Sequence, residues 1–191
     1  MARISARMPM IAKRTETETE VTFSGGAAIG KLVKSGVTPN QPNTKLFADD
    51  GIAEEESEVT SAAVTIESTT IPKDCAVMMF GIKFTEKTET EPEQAVFTGE
   101  EDSNFVGYGF IGGDKVDGKK RYKISWLPKV KFVLPSEEYT TRGESISFGT
   151  SSISGTAYRD DVLGYWKKEF YFDTAKEAVD YLKTLTGKAA A

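Results

Sequence analysis

The alternation of apolar and polar positions predicts a chain built mostly of strands. Residues 15–24 read Thr-Glu-Thr-Glu-Thr-Glu-Val-Thr-Phe-Ser. Successive strand side chains point to opposite faces. The segment is therefore predicted as one strand, with Glu16, Glu18 and Glu20 on an acidic face and Val21 and Phe23 on a packing face. Gly25-Gly26 permits a bend after it. Residues 36–44, with their Gly, Pro and Asn content, are predicted as a loop. Residues 45–48 follow as a short strand and Asp49-Asp50-Gly51 as a turn, because Asp bonds the following backbone and Gly accepts positive φ. The Val-, Ile- and Thr-rich stretch 54–70 reads as a second long strand paired with what precedes it.

The pattern then changes. Pro72 suits a first helical turn and Gly81 a helix end, so a short helix is predicted near 72–80 with Cys75 as a small buried apolar residue. Residues 85–102 are acidic and broken by Pro92, which predicts a protruding loop or hairpin. Residues 105–111 and 120–127 read as two strands joined by the turn chemistry of 112–119. Pro128 then demands a bulge or an edge position before an extended 130–134. Residues 145–159 and 165–172 are further strands. Ala175, Ala178, Val179, Tyr181, Leu182 and Leu185 recur at helical spacing, giving a C-terminal amphipathic helix near 174–186 with Asp173 as its cap. The expected fold is a mainly antiparallel β-sandwich or barrel with these two helices. Residues 1–14 are expected as a basic arm outside a single β domain of 15–191, in which 173–191 form the C-terminal helix and tail.

Length and composition narrow the function. The 191 residues, 39% hydrophobic, suffice for one ordinary core. There is no histidine and one cysteine. Counting alone therefore excludes Ser-His-Asp, Cys-His and His-ligated zinc chemistry, and an internal disulfide. No apolar run is long enough to span a bilayer, so membrane insertion is not expected. Gly107, Gly109, Gly112 and Gly113 lie within the predicted hairpin and do not open a helix, so they make no phosphate loop. Asp49-Asp50-Gly51 followed by Glu54 offers oxygen ligands for a cation, but a plain turn accounts for it. No cofactor and no metal are expected.

Charge is distributed unevenly around a net value of −5. Residues 1–14 carry four bases and no acid, 15–102 carry 18 acids against 6 bases, and 103–191 carry 11 acids against 14 bases. This asymmetry suits association between copies, basic surface to acidic surface. It argues against tight nucleic-acid binding by the 119–123 basic cluster, because such affinity comes largely from phosphate neutralisation.

Three function classes remain: a self-assembling structural subunit, a β-sandwich surface module gripping a receptor or glycan with loops 36–44 and 85–102, and a carboxylate-based hydrolase. One resemblance orders them. Leu46-Phe47-Ala48-Asp49-Asp50-Gly51, the acidic step after it and the Ser/Thr/Val stretch ending in Ile71-Pro72 resemble the major tail protein family of long-tailed bacteriophages. Residues 119–132, with Arg121-Tyr122 and the Trp126-Leu127 to Phe132 end, and residues 141–157 (TRGESISFGTSSISGTA) are similar to two further strands of that family. Tyr158-Arg159 and Trp166 fit as well. The match spans about residues 44–172.

The resemblance implies a non-enzymatic virion protein, a tail tube subunit assembled in the host cytoplasm. It implies hexameric rings stacked into a channel for double-stranded DNA, and tape measure, tail terminator and distal tail proteins as partners. A conducting wall should repel phosphate, so Glu16, Glu18, Glu20, Glu54, Glu56 and Glu58 are the candidate acidic lumen residues. The arm 1–14 and the segment 85–102 have no counterpart in that pattern.

Overall fold

The computed structural model describes residues 2–48, 51–99, 101–116, 118–137 and 149–188. The chain runs β1 (Ala2–Glu16), β2 (Val21–Ala28), β3 (Leu32–Asn40), β4 (Asn43–Ala48), β5 (Gly51–Ser57), β6 (Ser61–Ser68), α1 (Lys73–Phe80), β7 (Lys83–Thr85), β8 (Gln94–Val96), β9 (Phe105–Val116), β10 (Lys119–Phe132), β11 (Ser151–Tyr158), β12 (Lys168–Phe172) and α2 (Ala175–Leu185). Eight strands form one antiparallel sheet of order β2-β1-β9-β10-β11-β6-β3, with β12 also on β10. β4–β5 and β7–β8 are separate two-stranded ribbons.

The long sheet folds over itself into a sandwich, and β10 is the strand that turns the corner. Its first part pairs with β12 (Tyr122–Trp126), its last part with β11 (Val130–Phe132). Between them the register to β9 slips at Leu127/Val130, around Pro128. The slip changes the phase of the side chains. Ile124 and Trp126 face α2, whereas Leu127, Val130 and Phe132 all enter the sandwich interior. The bulge predicted from Pro128 thus lets one strand serve both halves.

Two cores result. The interior holds Ile11, Val64, Ile66, Tyr108, Leu127, Phe132 and Ile153, closed at one end by Cys75, Met79 and Phe80 of α1. On the outer face of β1, β9 and β10, Met10, Ala12, Ile111, Ile124 and Trp126 pack under Ala178 and Leu182 of α2. Glycine makes this second contact possible. A Cβ on Gly109 would lie 2.8 Å from Leu182 Cδ1 and 2.8 Å from Trp126 Cε3.

Several expectations need correction. The basic stretch 1–14 is no arm. Its residues 2–14 form most of β1, held between β2 and β9, with Met10, Ile11 and Ala12 buried on both faces. Residues 15–24 are not one strand. The Thr17 amide donates to the Glu20 carbonyl (2.9 Å) and the Glu20 amide to Thr17 Oγ1 (3.1 Å), closing a turn between β1 and β2. The predicted loop 36–44 is mostly strand: Gly36 to Asn40 complete β3, where Pro39 is tolerated because β3 is the last strand in the sheet order. The long strand 54–70 divides at residues 58–60, β5 folding back on β4 and β6 joining β3 and β11. The helix cap is Thr174, not Asp173: Thr174 Oγ1 accepts from the Glu177 amide at 3.3 Å.

The hairpin turn is shorter than the predicted 112–119, since residues 112–116 extend β9 and Lys119 opens β10 opposite Val116; the remaining elements stand close to where the sequence puts them. Gly81 ends α1 in the left-handed region (φ 70°), and its amide reaches the Val77 carbonyl at 3.0 Å. The acidic segment 85–102 begins as the β7–β8 hairpin. Of the predicted strand 145–159, residues 151–158 form β11, and residues 145–148 lie outside the described residues.

Candidate functional site

For a chain expected to join copies of itself, the site is the set of open strand edges and the charged surface around them. β3 pairs only with β6, and β12 only with β10, among the described residues. Each therefore turns one row of backbone amides and carbonyls outward, the template on which another strand can add. β2 also has a single partner, but its middle is covered. A Cβ on Gly26 would meet Thr186 Oγ1 at 2.4 Å, and one on Gly187 would meet the Phe23 carbonyl at 2.6 Å. The C-terminal end of α2 therefore lies against β2, leaving β3 and β12 as the more open edges.

The six candidate glutamates do not share a face. Glu16 ends β1, and Glu18 and Glu20 stand in the turn after it, all three exposed. Glu16 is tied back by Arg14 Nη1 at 2.6 Å, and this hydrogen bond and the guanidinium charge hold its carboxyl below the usual glutamate range. Glu54 and Glu56 sit on β5, opposite Leu46 and Thr44 in the β4–β5 ribbon. Glu58 lies beyond β5 and accepts from Arg159 Nη1 at 3.2 Å. Of the family-like turn, Asp49 and Asp50 lie outside the described residues, and Gly51 begins β5. The acidic residues thus form two separate groups, the β1–β2 tip and the β4–β5 ribbon.

The sequence reading did not single out the most buried charges. Arg14 donates from Nη2 (2.6 Å) and Nε (3.1 Å) to Asp160 Oδ2, with side-chain exposures of 4% and 0%. Asp160 Oδ1 accepts the Val162 and Leu163 amides (3.1 and 3.0 Å). Burial alone would raise the Asp160 carboxyl, but the Leu163 amide and Arg14 outweigh it and hold it below its ordinary value. The pair ties β1 to the connection between β11 and β12. Asp160, one of two adjacent acids and 146 residues from its partner, carries no local signal in the sequence.

A second charged group surrounds β12. Glu169 takes Lys167 Nζ (2.6 Å), Lys123 Nζ (3.2 Å) and the Tyr171 hydroxyl (2.7 Å). Burial pushes its carboxyl up, but these donors bring it down to about 2. Cys75 is buried, its Sγ 3.4 Å from the Ala28 carbonyl, and burial raises the thiol to about 11, so the nucleophilic thiolate is scarce at neutral pH. No helix among the described residues is long and apolar enough to cross a membrane. No family model matches the chain, and the curated proteins contain no match to it.

Proposed function

We propose that the chain is a structural subunit that joins copies of itself edge to edge into a hollow tube, in the manner of the tail tube proteins of long-tailed bacteriophages that its sequence resembles. The observation that carries this reading is the pair of open edges, β3 and β12, borne by the two halves of one sandwich. Two different edges on one molecule make a head-to-tail contact, and a head-to-tail contact repeated by rotation closes a ring. Pairing β3 of one copy with β12 of the next uses the backbone groups each leaves open and removes the aggregation liability of a bare edge.

The resemblance over residues 44–172 supplies the rest: rings of six, stacked into the passage for double-stranded DNA, in a virion tail. Acidic surface suits that passage because it repels phosphate. Of the six candidates, Glu16 is tied to Arg14 and Glu58 to Arg159, which leaves Glu18 and Glu20 of the β1–β2 turn and Glu54 and Glu56 of β5 for that use. Images of the purified chain test the proposal, with rings or hollow tubes as the expected particles.

A further inference from the structure

A polar cleft opens where the two halves of the sandwich diverge, between β3 and the inner face of β1, β9 and β10. Its volume is about 490 Å³, within the range of small-molecule sites. It stands apart from the acidic tips, and although residues 34–38 of β3 line it, the proposal does not rest on the assembly reading. We propose that this cleft binds an acidic sugar, a sugar phosphate or a uronic acid.

The floor is the first reason. Asp114 and Ser125 line the cleft and are 7% and 3% exposed, yet among the described residues neither side chain has a hydrogen-bond or ion-pair partner. Asp114 stands opposite Arg3 and Arg121 in the sheet register, but Arg121 turns to Asp173 (3.6 Å) and Arg3 makes no ion pair among the described residues. No buried side-chain polar atom among the described residues lacks a partner, so the unpaired oxygens of Asp114 and Ser125 are ones that the cleft reaches and that an occupant can meet. A carboxylate only accepts, so whatever meets Asp114 must donate.

The rim is the second reason. Lys123 and Lys167 are engaged by Glu169, but Arg3 and Lys34 are exposed cations on the cleft with no ion pair among the described residues. They favour an anionic group on the same ligand. A simple cation is repelled by this rim, and a simple anion by Asp114. The third feature is the Phe110 ring, half-buried on the cleft wall and stacked on Tyr108 at 5.8 Å. It offers an apolar surface. Hydroxyl donors for the floor, an anion for the rim and a C–H face for the ring meet in an acidic sugar.

Amide NMR of the full chain, at a concentration where size-exclusion chromatography shows a single copy, tests this, with glucose 6-phosphate and glucuronate as probes and glucose, inorganic phosphate and lysine as comparisons. One or both acidic sugars should shift the Gly112 and Ser125 amides, with Kd on the order of 1 mM, and the tighter of the two identifies the anion preferred. Glucose and phosphate should each bind at least about tenfold more weakly. Asp114→Asn should cost about tenfold in affinity, the scale of one charge-assisted hydrogen bond. Lys34→Glu, at an exposed position, should cost a similar factor with no change in melting temperature, which guards against misfolding of the Asp114 variant. Absence of cleft shifts with either acidic sugar, equal affinity for phosphate alone, tighter binding of lysine, or unchanged affinity in Lys34→Glu would overturn the proposal.

Discussion

Arg14 Nη2 lies 2.6 Å from Asp160 Oδ2, and neither side chain is more than 4% exposed. Removing Asp160 leaves the buried Arg14 guanidinium with Glu16, at the exposed end of β1, as its one remaining partner among the described residues. Asp160→Ala should therefore cost about 3–5 kcal/mol, and Asp160→Asn somewhat less, because the amide oxygen can still accept the Val162 and Leu163 amides. The same pair sets a pH dependence. The folded-state carboxyl is held below its unfolded value, so its contribution is complete above the unfolded pKa near 4 and is lost as pH falls through the folded one. Urea melts of wild type and Asp160→Asn across pH 2–7 should converge at the acid end, and parallel curves would contradict the assignment.

Gly109 is the point at which α2 touches the sheet. A methyl group there meets Leu182 and Trp126 at 2.8 Å each. Gly109→Ala should cost about 1–3 kcal/mol through overpacking. Hydrogen exchange should show α2 losing protection before the sandwich interior does. Uniform loss across both cores would mean that α2 and the sheet open as one unit.

Two adjacent residues separate a cap from a surface contact. Thr174→Ala removes the hydroxyl that accepts the Glu177 amide and should cost about 1 kcal/mol. Asp173→Ala should change stability by less than about 0.5 kcal/mol, since its side chain is 85% exposed and reaches Arg121 only at 3.6 Å. Thermal melts of the two variants decide the order.

Legibility in the sequence followed locality. The β9–β10 hairpin and the α2 stripe declared themselves because their turn and period are written in neighbouring residues. The Thr-Glu repeat of 15–20 misled because its alternation runs straight through a turn made by Thr17 and Glu20, with no Gly, Pro or Asn to mark it. The stretch 1–14 read as an arm because burial on both faces and three register slips erase any period of two in β1. β3 hid behind Gly36 and Pro39, residues that an edge strand accepts and a central one does not. Of the candidate site, the glutamates could be picked out by type, but which of them are paired could not. Arg14–Glu16 is a local contact, whereas Arg159–Glu58 and Arg14–Asp160 join distant segments.

Glu18 and Glu20 stand exposed in the β1–β2 turn. Changing both to lysine replaces two negative charges per copy with two positive ones and leaves the Arg14–Glu16 pair intact. If the turn borders the bore of a tube, assembly should persist and duplex DNA should be retained by the variant tubes at low salt, with the retention disappearing as salt rises. Co-sedimentation of DNA with tubes measures this. Unchanged, negligible retention would place the turn away from the bore.

The central claim is that β3 and β12 are completed by sister copies. Negative-stain imaging of the purified chain at increasing concentration, with size-exclusion chromatography alongside, tests it most directly. The account predicts rings or hollow tubes that become more abundant as concentration rises. A monodisperse single copy at every concentration, with no rings in any field, would contradict it.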